Sequence, residues 1–180
     1  MTSKYIISDT CSIRKLSHLG DFLYSDRFKA EYEIAITQTI KGELRFQRQV
    51  HLLDKFTILE DDDGYNSALE DLKENLDRSI SSERLPKKND LTILSTAIAE
   101  GYDLVTNDDP LGQLTKLVKE EFYDNDETPI ETFKAEVIII ELHNKELLDD
   151  NQVKEFVRNC NEEGPYTASE FNEFFNRFED

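Results

Sequence analysis

Residues 89–110 read NDLTILSTAIAEGYDLVTNDDP, and this stretch decides the fold. Ile93, Leu94, Ala97 and Ile98 share one face of a helix that begins at Asn89 or Asp90. Gly101 is placed to stop it. Asp103-Leu104-Val105-Thr106 then reads as a short strand, and Pro110 opens a further helix whose Leu111, Leu114, Leu117 and Val118 face inward. A helix, a strand and a helix in quick succession are the repeating unit of an α/β protein. Such proteins carry a mostly parallel sheet with helices on its faces.

The rest of the chain extends this pattern in both directions. Tyr5-Ile6-Ile7 is apolar and partly β-branched and runs into polar Ser8-Asp9-Thr10, as a buried strand ending at a turn does. A helix is expected from Arg14 to about Phe28. Ile36, Ile40 and Leu44 fall four apart and read as one helical stripe. Phe56-Thr57-Ile58-Leu59 reads as a second strand. A long helix from Asn66 carries Leu69, Leu72, Leu76 and Ile80, and Pro86-Lys87-Lys88-Asn89 breaks it. Val137-Ile138-Ile139-Ile140 reads as the clearest buried strand. Beyond it the pattern changes. Residues 149–161 look helical, Gly164-Pro165 interrupts, and Thr167-Ala168-Ser169-Glu170 has the form of a capping box before Phe171, Phe174, Phe175 and Phe178. That phenylalanine stripe reads as core rather than partner surface. The expected organisation is an α/β domain over residues 1–143 and a C-terminal helical extension over 144–180.

A length of 180 residues suits one domain with a small appendage. The formal charge of −18 repels bare phosphate backbones at long range, which argues against non-specific coating of nucleic acid. It leaves room for a metal-dependent nuclease, because cations neutralise a local acidic cluster. Two cysteines, Cys11 and Cys160, make neither a disulfide framework nor a zinc spacing. The N-terminal residues lack the apolar core of a secretion signal, and the run 137–140 is far too short to cross a bilayer. A cytoplasmic protein without membrane association is therefore expected.

Four acids occupy telling positions. Asp9 follows one strand, Asp108 follows another, Asp90 opens a helix, and Glu43 lies beside a buried stripe. In open α/β sheets ligands bind beyond the carboxyl ends of the strands. Carboxylates forced together there repel one another unless a cation intervenes, and hard ions such as Mg²⁺ prefer oxygen ligands. Taken singly, each acid has an ordinary role: Asp90 as a helix N-cap, Asp108 as a turn or cap before Pro110, Asp9 as a cap, Glu43 as a solvated helix residue. Asp61-Asp62-Asp63-Gly64 invites a calcium-loop reading, but the register puts Leu59 at the first ligand position, so a solvated turn is expected. His18, His51 and His143 form no ligand or triad spacing. Cys11 is expected as a small packing residue near the acids, and no glycine-rich phosphate loop follows the first strand.

The segments Ile7-Ser8-Asp9-Thr10-Cys11-Ser12-Ile13, Thr39-Ile40-Lys41-Gly42-Glu43-Leu44, and the run from Asn89-Asp90 to Thr106-Asn107-Asp108 together resemble the PIN-domain family, over roughly residues 3–143. The resemblance implies a Rossmann-like, three-layer α/β/α fold and a Mg²⁺- or Mn²⁺-dependent ribonuclease, of the kind found in toxin–antitoxin pairs and RNA-processing factors. By position it makes Asp9, Glu43, Asp90 and Asp108 the catalytic acids, with Asp9, Asp90 and Asp108 as metal ligands and Asp109 as a substitute for Asp108. Thr106 and Asn107 would orient the loop. It implies metal-assisted phosphodiester hydrolysis, in which a carboxylate not tied to metal positions or deprotonates the attacking water. Candidate RNA contacts are Arg14, Lys15, Lys87 and Lys88. An antitoxin or other protein partner and a homodimer are implied by the same resemblance. Cys11 departs from the small hydroxyl or amide residue usual after the first Asp. The alternative is a catalytically weak or inactive PIN-like scaffold.

Overall fold

The computed structural model describes residues 3–76, 84–123, 129–163 and 167–179. Its strands are β1 (Lys4–Ser8), β2 (Tyr32–Thr37), β3 (Thr57–Leu59), β4 (Asp103–Val105) and β5 (Thr132–Phe133). They form one parallel sheet in the order β3-β2-β1-β4-β5. The first strand read from the sequence is thus the central one. Ile6 and Ile7 pair with Ile34 and Ala35 on one side, and Ile7 pairs with Leu104 on the other. Both isoleucines are fully buried, as a strand covered on both faces requires.

The helices are α1 (Thr10–Leu16), α2 (Asp26–Lys29), α3 (Gln38–Phe46), α4 (Asn66–Lys73), α5 (Lys88–Glu100), α6 (Asp109–Glu121), α7 (Ala135–Asn144), α8 (Asp150–Glu163) and the short α9 (Asn172–Phe175). The chain steps from β1 to β2 and β3 in one direction, and from β4 to β5 in the other. Right-handed crossovers therefore put α1 and α3 on one face and α5 and α6 on the opposite face. The result is a three-layer α/β/α fold. The strand order reverses between β1 and β4, and the crevice beyond their carboxyl ends is the expected ligand position.

The stretch 89–110 folds as read. Gly101 ends α5 in the left-handed conformation with φ 67°, and Pro110 sits in the first turn of α6. Elsewhere the structure corrects the sequence reading. Residues 137–140 are not a strand but the middle of α7. Ala135, Ile138, Ile139 and Leu142 are fully buried at helical spacing, while Val137 and Ile140 are half-buried. A run of β-branched residues cannot by itself separate a buried helix from a buried strand. Ile36 belongs to β2, so the stripe with Ile40 and Leu44 joins two elements that α3 follows without a gap. The helix expected over residues 14–28 is broken into α1, a 3₁₀ segment (Ser17–Tyr24) and α2, with Gly20 at φ 56°. Phe56 stands outside β3. The helix at Asn66 ends at Lys73, and Ile80 lies outside the described residues.

Beyond α7, α8 lies against the 3₁₀ segment and buries Val153, Phe156, Val157 and Cys160. The expected capping box is not formed. A 3₁₀ turn starts at Ser169 after Ala168, which makes no side-chain cap, and leads into α9. Phe175 packs on Phe156, and the rings of Phe174 and Phe178 meet His143 edge-on. The phenylalanines cover the domain itself.

Candidate metal centre

Asp9 leaves β1 and caps α1. One carboxylate oxygen accepts the Ser12 N–H at 2.7 Å, and the other accepts the Thr106 hydroxyl. Thr106 follows β4, so this hydroxyl ties the two central strands together at their carboxyl ends. Its oxygen also accepts the Asp108 N–H at 3.0 Å. Only 8% of Asp9 is exposed. Burial pushes its pKa up, hydrogen bonds from Thr106 and Ser12 pull it down, and the Asp108 charge pushes it up again; the net shift is upward.

Asp108 is exposed and caps α6 by accepting the Leu111 N–H at 2.9 Å. Asp90 is not the N-cap of α5. It sits at the third helical position and reaches back to the Lys87 N–H at 2.6 Å. Burial raises its pKa, the Lys87 N–H opposes that, and the charges of Asp108 and Glu43 add to the rise. Glu43 is held between two elements: Thr10 donates to one oxygen and Asn89 Nδ2 donates to the other at 3.1 Å. The acids are linked pairwise: Asp9 senses the charge of Asp108, and Asp90 senses those of Asp108 and Glu43. None of them forms a salt bridge among the described residues.

Every donor to these carboxylates is a neutral backbone amide, hydroxyl or side-chain amide. Among the described residues, Glu43 and Asp9 have both oxygens engaged, whereas Asp90 and Asp108 each keep one oxygen without a donor. Among the described residues no three acidic, histidine or cysteine side chains are already gathered closely enough to hold one ion. Three of the carboxylates are each held by a backbone amide at the start of their own helix: Asp9 by Ser12, Asp90 by Lys87 and Asp108 by Leu111. The donor set, all carboxylate and hydroxyl oxygen, is chemically that of Mg²⁺ or Mn²⁺.

Beside the acids runs a second network that sequence reasoning missed. Asn107 accepts the Ser12 hydroxyl at 3.0 Å and the Ala135 N–H at 3.2 Å, and donates to Glu136 at 2.7 Å. Glu136 is fully buried and pairs with Lys15 at 2.6 Å, itself 3% exposed. Its Oε1 also accepts the Ala168 N–H at 2.8 Å. Burial alone would push the Glu136 pKa up, but the donors from Lys15, Asn107 and Ala168 hold it below the usual range. Lys15, a candidate RNA contact, thus has its ammonium enclosed against Glu136. Lys87 and Lys88 are exposed and Arg14 is half-buried. Asp109, the candidate substitute for Asp108, forms a salt bridge with Lys134 at 2.8 Å. Cys11 is exposed rather than packed inward; partial burial and the Asp9 charge push its thiol pKa up.

The acidic turn at 61–63 is a cap from a neighbouring loop. Asp61 accepts the Thr39 N–H and hydroxyl at the start of α3, and Asp62 accepts the Gly64 N–H. Two cavities flank the carboxylates. One, of about 390 Å³, is lined by Gln38, Glu43, Phe46, Gln47 and Asn89. The other, of about 520 Å³, is lined by Thr106, Asp108, Lys116, Lys119 and Lys134. Comparison with protein-family models and with curated proteins gives no match to the chain.

Proposed function

We propose that the chain is a metal-dependent ribonuclease that hydrolyses RNA phosphodiester bonds at the carboxylate edge. The observation that carries the reading is Asp9. A nearly buried carboxylate ends the central strand at the switch in strand order, is held by neutral donors alone, and feels the charge of Asp108. The resemblance of the segments around Asp9, Glu43 and Asp90–Asp108 to PIN domains supplies the substrate class. The setting it implies is a toxin of a toxin–antitoxin pair or an RNA-processing factor in the cytoplasm, acting as a homodimer. No helix among the described residues is long and apolar enough to cross a membrane.

In this reading Asp9, Asp90 and Asp108 hold Mg²⁺ or Mn²⁺, which would neutralise phosphate charge and acidify water there. Thr106 fixes the Asp9 carboxylate by donating to it, and Asn107 fixes the loop between β4 and α6. Glu43, steadied by Thr10 and Asn89, is the carboxylate left to orient the attacking water and take its proton. Asp108 keeps its cap through one oxygen and offers the other.

Cleavage of RNA in Mg²⁺ or Mn²⁺, abolished by EDTA, is the expected result for the wild type. Asp9→Asn and Asp90→Asn should each lose at least about a hundredfold, the scale on which perturbing metal ligation acts. Equal cleavage by the variants removes the site assignment. The second reading, an inactive PIN-like scaffold, is favoured by the missing ready-made three-ligand shell among the described residues and by the net charge of −18. Metal binding without cleavage of any RNA would select it.

A further inference from the structure

The segment 38–51, QTIKGELRFQRQVH, reverses the character of the chain: it carries Lys41, Arg45 and Arg48 against the single acid Glu43, in a protein of net charge −18. None of these three cations makes an ion pair or a side-chain hydrogen bond among the described residues. Phe46, between the two arginines, is 88% exposed, the largest exposure of any large apolar side chain described. It lies three residues after Glu43 on α3, on the same helical face and about 4.5 Å further along the axis. Phe46 and Glu43 line the same cavity of about 390 Å³, together with Asp61 and the amides of Gln38, Gln47 and Asn89. A stable protein interface needs roughly 800 Å² per partner with an apolar centre. Here Phe46 and Val50 are the only exposed large apolar side chains of the segment, and their sequence neighbours Arg45, Gln47 and Arg48 are exposed with them.

We infer that the last turn of α3 is a stacking platform for an unpaired base of the substrate strand: Phe46 takes the base face, the amides border its edge, and Arg45 and Arg48 take the flanking phosphates. Aromatic faces interleaved with arginine are how single strands are held without demanding a sequence. The platform deepens the ribonuclease reading and rests on it for the identity of the strand, naming single-stranded RNA or an unpaired loop as the substrate. A strand lying on Phe46 reaches Glu43 first and then, through Thr10, the edge where Asp9 stands.

The test is anisotropy of a fluorescein-labelled single-stranded RNA and of its blunt duplex, in Ca²⁺, with the oligonucleotide checked to be intact afterwards. Phe46→Ala should weaken single-strand binding about tenfold, Phe46→Trp should restore it, and duplex binding should not change. Arg45→Gln and Arg48→Gln should each flatten the salt dependence by about 0.7 in log–log slope. Unchanged single-strand affinity of Phe46→Ala, or no wild-type affinity at all, overturns the platform. So does a dimer that Phe46→Ala converts to monomer at unchanged RNA affinity, since the ring then serves a second copy of the chain. Cleavage is read separately: a wild type that binds through Phe46 but never cleaves keeps the platform and loses the nuclease.

Discussion

Two groups of buried carboxylate chemistry lie side by side at the carboxyl end of the sheet, and they are built on opposite principles. Glu136 is fully buried and carries its own counter-ion, Lys15, with Asn107 and the Ala168 amide filling the remaining acceptor positions. Asp9, a short distance away through Ser12 and Asn107, is almost as buried and receives only neutral donors. The pKa values follow the construction: Glu136 is pushed down and Asp9 up. A fixed negative charge that serves architecture is neutralised inside the chain. A negative charge left to neutral donors is held at a cost, and any cation arriving from outside lowers that cost.

The largest expected effect comes from breaking the neutralised side. Glu136→Ala should destabilise the fold by about 3–5 kcal/mol in urea unfolding, because it removes the carboxylate that neutralises the buried Lys15 ammonium. Lys15→Met combined with Glu136→Gln should recover most of that loss; a double variant no better than Glu136→Ala would mean the pair is not the source. Ligand linkage gives the next effect. Saturating Mn²⁺, at about a hundredfold over its dissociation constant, should stabilise the wild type by about 2.7 kcal/mol and leave Asp9→Asn unmoved. Without divalent ions Asp9→Asn should be more stable than the wild type at neutral pH by about 1 kcal/mol, since Asn caps a helix as well as Asp and carries no buried charge.

The pH dependence separates the two groups by sign. Asp9 has a raised pKa in the folded chain, so its contribution is most favourable below the ordinary value of 3.8 and is lost as pH rises through the folded value. The advantage of Asp9→Asn should therefore open with rising pH. Glu136 has a lowered pKa, so its contribution is present above 4.5 and is lost as pH falls through the folded value. The penalty of Glu136→Gln should shrink on acidification. Parallel pH profiles for the two variants would dissolve the contrast. The smallest effect is at Arg48, whose φ of 60° closes α3 where glycine is usual. Arg48→Gly should raise stability by about 1 kcal/mol in thermal unfolding.

Much of the frame was legible because local rules and tertiary structure agree in it. β1, the α5–Gly101–β4 unit and the Pro110 start of α6 each carry their own punctuation. β2 was lost because Ile36 happens to continue the four-residue spacing of Ile40 and Leu44, and β5 because two residues hold no pattern. The four acids were found by where they stand relative to strands and helix starts. Asp9 and Asp108 turned out to be genuine caps as well, so the ordinary role and the candidate role coexist on one side chain. Glu136 was invisible for a physical reason: its partner Lys15 is 121 positions away, and the run that follows it was read as a strand. Phe46 and its arginines were passed over because an exposed ring has no periodic signature.

The hydrogen bond from Ala168 to Glu136 sets a timetable. A chain emerging from the ribosome presents Asp9, Glu43, Asp90 and Asp108 well before its tail, and each domain tends to fold as its residues arrive. Glu136 receives its last donor only with residue 168, some thirty positions after it. The clasp on Glu136 is therefore complete only once residue 168 has been made, and a nascent chain owns its acids before it owns that clasp.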